Sequence, residues 1–273
     1  MQMVQMATPF VRLHDGVEIP QLGLTLFQVP PEETRGVVEQ ALEAGYRHFD
    51  TAAAHGNERE VGEALAASGL PREDYFVTAK LANVQRDPQS TLGAFEASLE
   101  RLGLDHVDLC LIHGSGLEAE RLLGAWQALE WIHREEAART IGVANFGVEE
   151  LELLEREGRS RPTVNQIELH PRLQHPELCA HHAARGIATE AWGPLGQDEP
   201  LGDPTISRLA ESHGKTPAQV VLRWQLQLGH AVVTKPVSPA RIRESVDLFD
   251  FELCHRELAA IADFAHDRQV LLR

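Results

Sequence analysis

Lysine is scarce in this 273-residue chain: Lys80, Lys215 and Lys235 are the only three, and arginine supplies the rest of the 25 basic residues. Against 41 acidic residues they leave a net charge of −16 and a pI near 5.3. Such a balance repels a phosphate backbone and argues against nucleic-acid binding, although a few local cations can still hold an anionic ligand. Cysteine is equally sparse. Cys110, Cys179 and Cys254 are odd in number, far apart and without C-x-x-C spacing, which excludes a disulfide framework and predicts free thiols in a reducing cytoplasm. The first residues, Met1 to Ala7, lack a basic region followed by a long apolar core, so no signal peptide is expected. No run of about 18 apolar residues is present to suggest a membrane span. These absences predict a cytoplasmic protein with neither nucleic acid nor membrane as partner; a monomer acting on a small molecule is expected.

What is present is an alternation. Hydrophobic residues make up 43% of the chain and the mean hydropathy is −0.24, enough to bury a sizeable core. Short apolar runs predict strands at 21–24, 46–50, 76–81, 107–112, 140–144, 163–168, 188–192 and 231–234. Amphipathic stretches predict helices at 32–44, 57–68, 91–102, 118–136, 149–157, 177–185, 216–228 and 239–247, and a last one at 256–265. Eight strands alternating with eight helices imply parallel pairing and right-handed crossovers, and the count favours a closed (β/α)8 barrel. No G-x-G-x-x-G follows any strand, which removes the main argument for a dinucleotide-binding open sheet. Residues 10–13 and 17–19 around Asp15-Gly16 read as a hairpin that caps the barrel bottom. No linker or repeat divides the chain, so residues 1–273 are expected to form one domain.

A barrel carries its active site at the C-terminal ends of its strands. The polar residues at or just past the apolar runs are Asp50, Lys80, His113, Asn145, Glu168, Trp192 and Lys235. Asp50 and Lys80 end neighbouring strands and should meet across the mouth, either as a proton-relay pair or as a structural salt bridge. His113, on the next strand, suits acid–base catalysis or the orientation of a carbonyl oxygen. Other histidines carry less: His181 and His182 are adjacent on a helix and cannot face one ligand, and His170, before Pro171, reads as structural. No set of residues has metal-ligand spacing.

The stretch Gly45-Tyr46-Arg47-His48-Phe49-Asp50-Thr51-Ala52-Ala53-Ala54-His55-Gly56-Asn57-Glu58 resembles the signature segment of the aldo-keto reductases. Further matching blocks are Pro20–Gly23, Phe76–Leu81, Leu109–His113, Ile141–Val143, Val164–Pro171, Glu190–Gly196, Thr216–Trp224 and Asp250-Phe251. Together they span nearly the whole chain, and the chain is similar to the bacterial 2,5-diketo-gluconate reductases. The resemblance implies NADPH lying extended across the barrel mouth, hydride transfer to an aldehyde or ketone, and a catalytic tyrosine assisted by Lys, Asp and His. The last three fall on Lys80, Asp50 and His113, whereas the tyrosine position holds His55. Nicotinamide partners fall on Ala144, Asn145 and Gln166, with Trp192 as the neighbouring ring and Gly193 and Leu195 in the following loop. Lys235 and Arg241 match the residues that hold the adenosine 2′-phosphate.

Departures from the family pattern concentrate in the cavity. Ala82 replaces a tryptophan, Gly114-Ser115 replaces Trp-Pro, Ala144 lacks a hydroxyl, Pro236 replaces a serine and Ser245 an asparagine. Thr25 stands where the first loop has glycine, and the C-terminal tail is altered or short. The pattern suggests a repurposed or engineered site, and three functions remain open. The first is an NADPH-dependent carbonyl reductase, impaired or altered, with cofactor binding weakened or lost and a His55 imidazolium of ordinary pKa near 6.5 as proton donor. The second is a cofactor-independent lyase-type enzyme using His55 or His113 as base, or Lys80 as a Schiff-base amine. The third is a non-catalytic barrel that binds a small ligand. NADPH binding separates the first from the others.

Overall fold

The computed structural model describes residues 8–82, 88–114, 118–235 and 238–264. Eight parallel strands close a barrel: β3 (Leu22–Thr25), β4 (His48–Ala52), β5 (Phe76–Ala82), β6 (Val107–His113), β7 (Ala138–Ala144), β8 (Val164–Glu168), β9 (Ala188–Trp192) and β10 (Ala231–Thr234), the last pairing back to β3. Before it, β1 (Phe10–Arg12) and β2 (Glu18–Pro20) form a separate antiparallel hairpin. Leu13 and Ile19 from this segment pack with Phe76, Leu109, Leu111 and Val164.

Proline and glycine punctuate the helices as their backbone chemistry requires. Helices α1 (Pro31–Ala44), α3 (Pro88–Leu102), α6 (Pro176–Arg185), α7 (Pro204–His213), α8 (Pro217–Gln227) and α9 (Pro239–Glu244) all begin on proline, whose missing N–H costs nothing in the first turn. Asp203, Thr216 and Ser238 cap α7, α8 and α9 by accepting backbone N–H bonds. Gly45, at φ 101°, closes α1 in the left-handed region, where glycine carries no Cβ penalty. The remaining helices are α2 (Glu58–Ala67), α4 (Ala119–Arg134), α5 (Val148–Glu157) and α10 (His255–Ala262).

Three expectations change. No element is expected at 204–213, yet these residues form α7 between β9 and α8; its apolar side is small, only Ile206, Leu209 and Ala210 being buried. The strand predicted at 46–50 lies two residues later, at His48–Ala52. Tyr46 instead sits in the turn, its backbone N–H bonded to Ala41 at the end of α1. The helix predicted at 239–247 stops at Glu244. Residue 265 of the last predicted helix lies outside the described residues.

Register across the barrel decides which side chains share a level. Thr25 is opposite Asp50 and Ala52 opposite Lys80. One continuous line runs through His113, Ala144, Gln166 and Glu190. Because alternate strand residues face the same side, His48, Asp50 and Ala52 form one inward column. Glu190 and Trp192 belong to another.

Candidate active site

Asp50 is fully buried at the centre of the barrel mouth. Its Oδ1 accepts from Lys80 Nζ at 2.5 Å and from Thr25 Oγ1 at 2.7 Å, and its Oδ2 accepts from Gln166 Nε2 at 3.0 Å. Burial pushes the carboxyl up, but the Lys80 ammonium and these hydrogen bonds outweigh it and hold Asp50 below its ordinary range. Lys80 is 9% exposed and also donates to Gln166 Oε1 at 3.3 Å.

His55 ends a short 3-10 turn, Ala53–His55, directly after β4, and Gly56 at φ 71° turns the chain into α2. The ring is half-buried, 5.3 Å from the Phe27 ring centroid, and its Nδ1 is buried without a hydrogen-bond partner. Desolvation first, then the Lys80 charge and in lesser part His113, lower its pKa to about 4, with Asp50 only partly compensating. The expectation of an imidazolium with a pKa near 6.5 is therefore corrected. At neutral pH His55 is a neutral imidazole, because burial and the Lys80 charge together outweigh Asp50.

His113 is the exposed last residue of β6, its pKa lowered first by partial burial and then by Lys80. Its tautomer follows from its neighbours. The Trp192 indole, a donor only, gives its N–H to Asn145 Oδ1 at 2.8 Å, so the Asn145 amide nitrogen faces His113 Nε2 at 3.0 Å. Nε2 must accept, and the ring proton sits on Nδ1. Asn145 adopts φ 63°, a left-handed position that asparagine tolerates better than most residues.

Lys80, His55, His113, Asn145, Gln166, Trp192, Gly193, Leu195, Lys235 and Arg241 all line one cavity of about 730 Å³, together with Glu168 and Ser245. Asp50 lies behind Lys80, out of direct reach. Lys235 Nζ donates to Gln28 Oε1 at 3.0 Å and lies 5.7 Å from the Phe27 ring centroid. Arg241 stands in the first turn of α9. Gln166, expected as a nicotinamide partner, turns its amide nitrogen down to Asp50 and to Glu190 Oε2, 2.7 Å away. His182 is buried between Asn165 and Thr189, each 2.9 Å from a ring nitrogen. His170 packs 3.6 Å from Glu168. Among the described residues no group of three or more His, Cys, Asp or Glu is arranged to hold a metal. Nor is any helix among them long and apolar enough to cross a membrane. The Ala82 side chain, Ser115, Pro236 and the tail after residue 264 lie outside the described residues.

Sequence reasoning missed four contributors. Thr25 was read as a departure from glycine, yet its hydroxyl is one of Asp50's three partners. Phe27 and Gln28 were not singled out, although they sit against His55 and Lys235. Glu190 falls within the matching block Glu190–Gly196. Its position two residues before Trp192 on one strand was the available signal, since i and i+2 share a face.

Residues 21–266 match the Aldo/keto reductase family. An aldo-keto reductase of Mycolicibacterium smegmatis is 50% identical over 93% of both chains. The methylglyoxal reductase DkgA of Yersinia pestis is 46% identical, covering 93% of this chain and 91% of its own. The crystal structure of a Bombyx mori aldo-keto reductase in complex with NADP superposes with a TM-score of 0.90 at 34% identity, over 97% of this chain and 95% of that one. This chain belongs to the aldo/keto reductase family, and the barrel is that of an oxidoreductase of the aldo-keto reductase type.

Proposed function

We propose that this protein reduces small aldehydes, 2-oxoaldehydes such as methylglyoxal foremost, with NADPH. The observation that carries the reading is a single cavity lined both by His55, Lys80 and His113 and by Lys235 and Arg241. Its volume of about 730 Å³ suits a ligand of this class. The residues fit a phosphorylated dinucleotide: two cations stand on one wall, and the half-buried Trp192 ring offers a flat apolar face on another. Lys235 and Arg241 would hold the 2′-phosphate by charge-assisted hydrogen bonds, while Trp192, Gly193, Leu195 and Asn145 would border the nicotinamide. NADPH, when bound, supplies the hydride. The name of the Yersinia pestis relative supports the substrate class.

What the chain itself contributes is polarisation of the carbonyl oxygen. His55, neutral at pH 7, acts as an N–H donor to that oxygen, and Lys80 supplies the positive charge that favours its becoming an alkoxide, which takes the proton that completes the alcohol from water entering the cavity. Thr25, Gln166 and Asp50 fix Lys80 in place. Imidazole is shorter than the phenol of the family pattern, and a reach shortened by about one hydrogen-bond length costs roughly 10²-fold in rate. Ala144 and Ser245 remove polar contacts to the cofactor, so NADPH binding is weaker than the family pattern implies. Lys80 is held by Asp50 and Gln166, which favours this electrostatic role over attack as a free amine.

Fluorescence titration with NADPH and NADH, followed by NADPH oxidation with methylglyoxal, tests the reading. The expected result is NADPH binding about tenfold tighter than NADH, with K235M removing most of that preference. Absence of NADPH binding would overturn the proposal.

A further inference from the structure

Beneath the cavity lies a second carboxyl group with no task in the scheme above. Glu190, on β9, is fully buried and stands opposite Gln166 of β8 in the sheet register. Gln166 has two amide N–H groups, and both are engaged: one with Asp50 Oδ2 at 3.0 Å, the other with Glu190 Oε2 at 2.7 Å. Its carbonyl accepts from Lys80. One amide thus joins two carboxyl groups and an ammonium.

Among the described residues no further cation stands beside Glu190. From β4 it meets Asp50 and His48, whose Nε2 is 3.9 Å from Glu190 Oε1 and 2.9 Å from Thr78 Oγ1. From β5 it feels Lys80, and its register partner on β10 is Ala231. Glu190 Oε1 has no hydrogen-bond partner. Below, Leu13, Ile19, Phe76, Leu109 and Leu111 form an apolar plug, so the charge cannot be relieved through the barrel bottom. Two ionised carboxylates facing one ammonium here would leave a buried charge uncompensated, a state that low dielectric penalises heavily.

We propose that Glu190 is a positioning residue for the Asp50–Lys80 pair: it carries a proton in the active form, so that Gln166 ties the pair to a neutral carboxylic acid and the buried set keeps one anion to one cation. Burial and, after it, the Asp50 charge push Glu190 up to about 7. Burial pushes His48 down to about 4, which assigns the shared proton to Glu190 and not to the imidazole. When Glu190 ionises, its negative charge opposes the alkoxide forming beside Lys80. Turnover therefore declines as pH rises past neutrality. This catalytic consequence rests on the reductase reading; the buried proton does not.

The test pairs a spectroscopic readout with a kinetic one. Infrared difference spectra between about pH 5.5 and about pH 8.5 should show a carboxylic-acid C=O band in the wild type that disappears with a midpoint near 7. E190Q removes that band, and E190D shifts it, supplying the assignment should E190Q fail to fold. Across the same range the ratio of E190Q to wild-type kcat/KM should rise on the order of threefold or more, because only the wild type loses its neutral acid. A wild type without the band, or an E190Q enzyme with the wild-type pH profile, overturns the proposal. If neither protein oxidises NADPH, the reductase reading fails, and the infrared band alone decides the fate of Glu190.

Discussion

The two ends of this barrel use the same ionic chemistry in opposite ways. At the N-terminal end the buried Asp108 is saturated: Arg72 Nη2 donates at 2.6 Å, Arg139 Nη1 at 2.8 Å and the Val77 amide at 2.8 Å. At the C-terminal end Asp50 is also saturated, and each cluster keeps a buried atom without a partner, Arg72 Nε in the first; the ends differ in what their groups face. His55 Nδ1 and Glu190 Oε1 are buried without partners, and Lys80 and His113 open into a cavity. An ion cluster whose charges meet only one another stabilises a fold. One that leaves donors and acceptors unfilled around a cavity is arranged for something that is not part of the chain.

The largest effects should fall on that contrast. K80M should lower methylglyoxal reduction by about 10³-fold or more, because it removes the buried cation that faces the reacting oxygen. D108A should instead lower stability by about 3 kcal/mol, since two arginines and an amide lose their acceptor, while activity per folded molecule stays within about threefold of wild type. Thermal unfolding and initial rates on the same samples check both. A D108A enzyme that folds well but turns over poorly would end the division of labour between the ends.

His55 offers the next largest effect. H55Y should raise kcat by about 10²-fold, restoring the longer donor that Lys80 and Asp50 are placed to assist. H55A should fall below wild type. Because desolvation and Lys80 hold the imidazole pKa at about 4, the wild-type rate should not follow an ionisation near 6.5, the ordinary value for histidine. A rate that does follow one, and loses it in H55A, would restore the imidazolium as proton donor.

Much of this was legible in the chain, and what was not has physical reasons. Eight apolar runs, and Asp50 and Lys80 in phase at the ends of two of them, were enough to expect the barrel and its ion pair, because register and period-2 alternation are local rules. Thr25 was hidden because a hydroxyl's partner lies on another strand. Gln28 was hidden because its reach to Lys235 depends on a left-handed backbone, φ 59°, that nothing in the residue type signals. Helix α7 was lost in a region of glycines and prolines where only three buried side chains mark its face. The orientation of Gln166 was the least accessible: its residue type suits a cofactor amide or a carboxylate equally, and only the neighbouring Glu190 decides.

The smallest effect is what Glu190 subtracts from the pH dependence of stability, where buried histidines and a buried carboxyl act with opposite signs. His48 and His55, with His182 and His230 on the barrel wall, all have folded pKa values lowered to about 4, chiefly by burial. Unfolded histidines take up protons below about 6.5, so the unfolded chain binds more protons between about 4 and 6.5. Stability from these groups is complete above that window and is lost as pH falls through it. Glu190 has the reverse sign. Its folded pKa is raised to about 7, above the unfolded value of about 4.3, so the folded state binds more protons and stability falls as pH rises through that interval. Four histidines, each worth about 2 kcal/mol across this window, outweigh one carboxyl that opposes them with about 2 kcal/mol, and the net slope should be positive, on the order of 6 kcal/mol gained between about pH 4.5 and pH 6.5. E190Q should steepen it by removing the opposing group, and denaturant unfolding at a series of pH values measures the slope directly. An unchanged slope in E190Q would mean that Glu190 is ionised in the folded protein throughout, and that the reacting end tolerates a second buried charge.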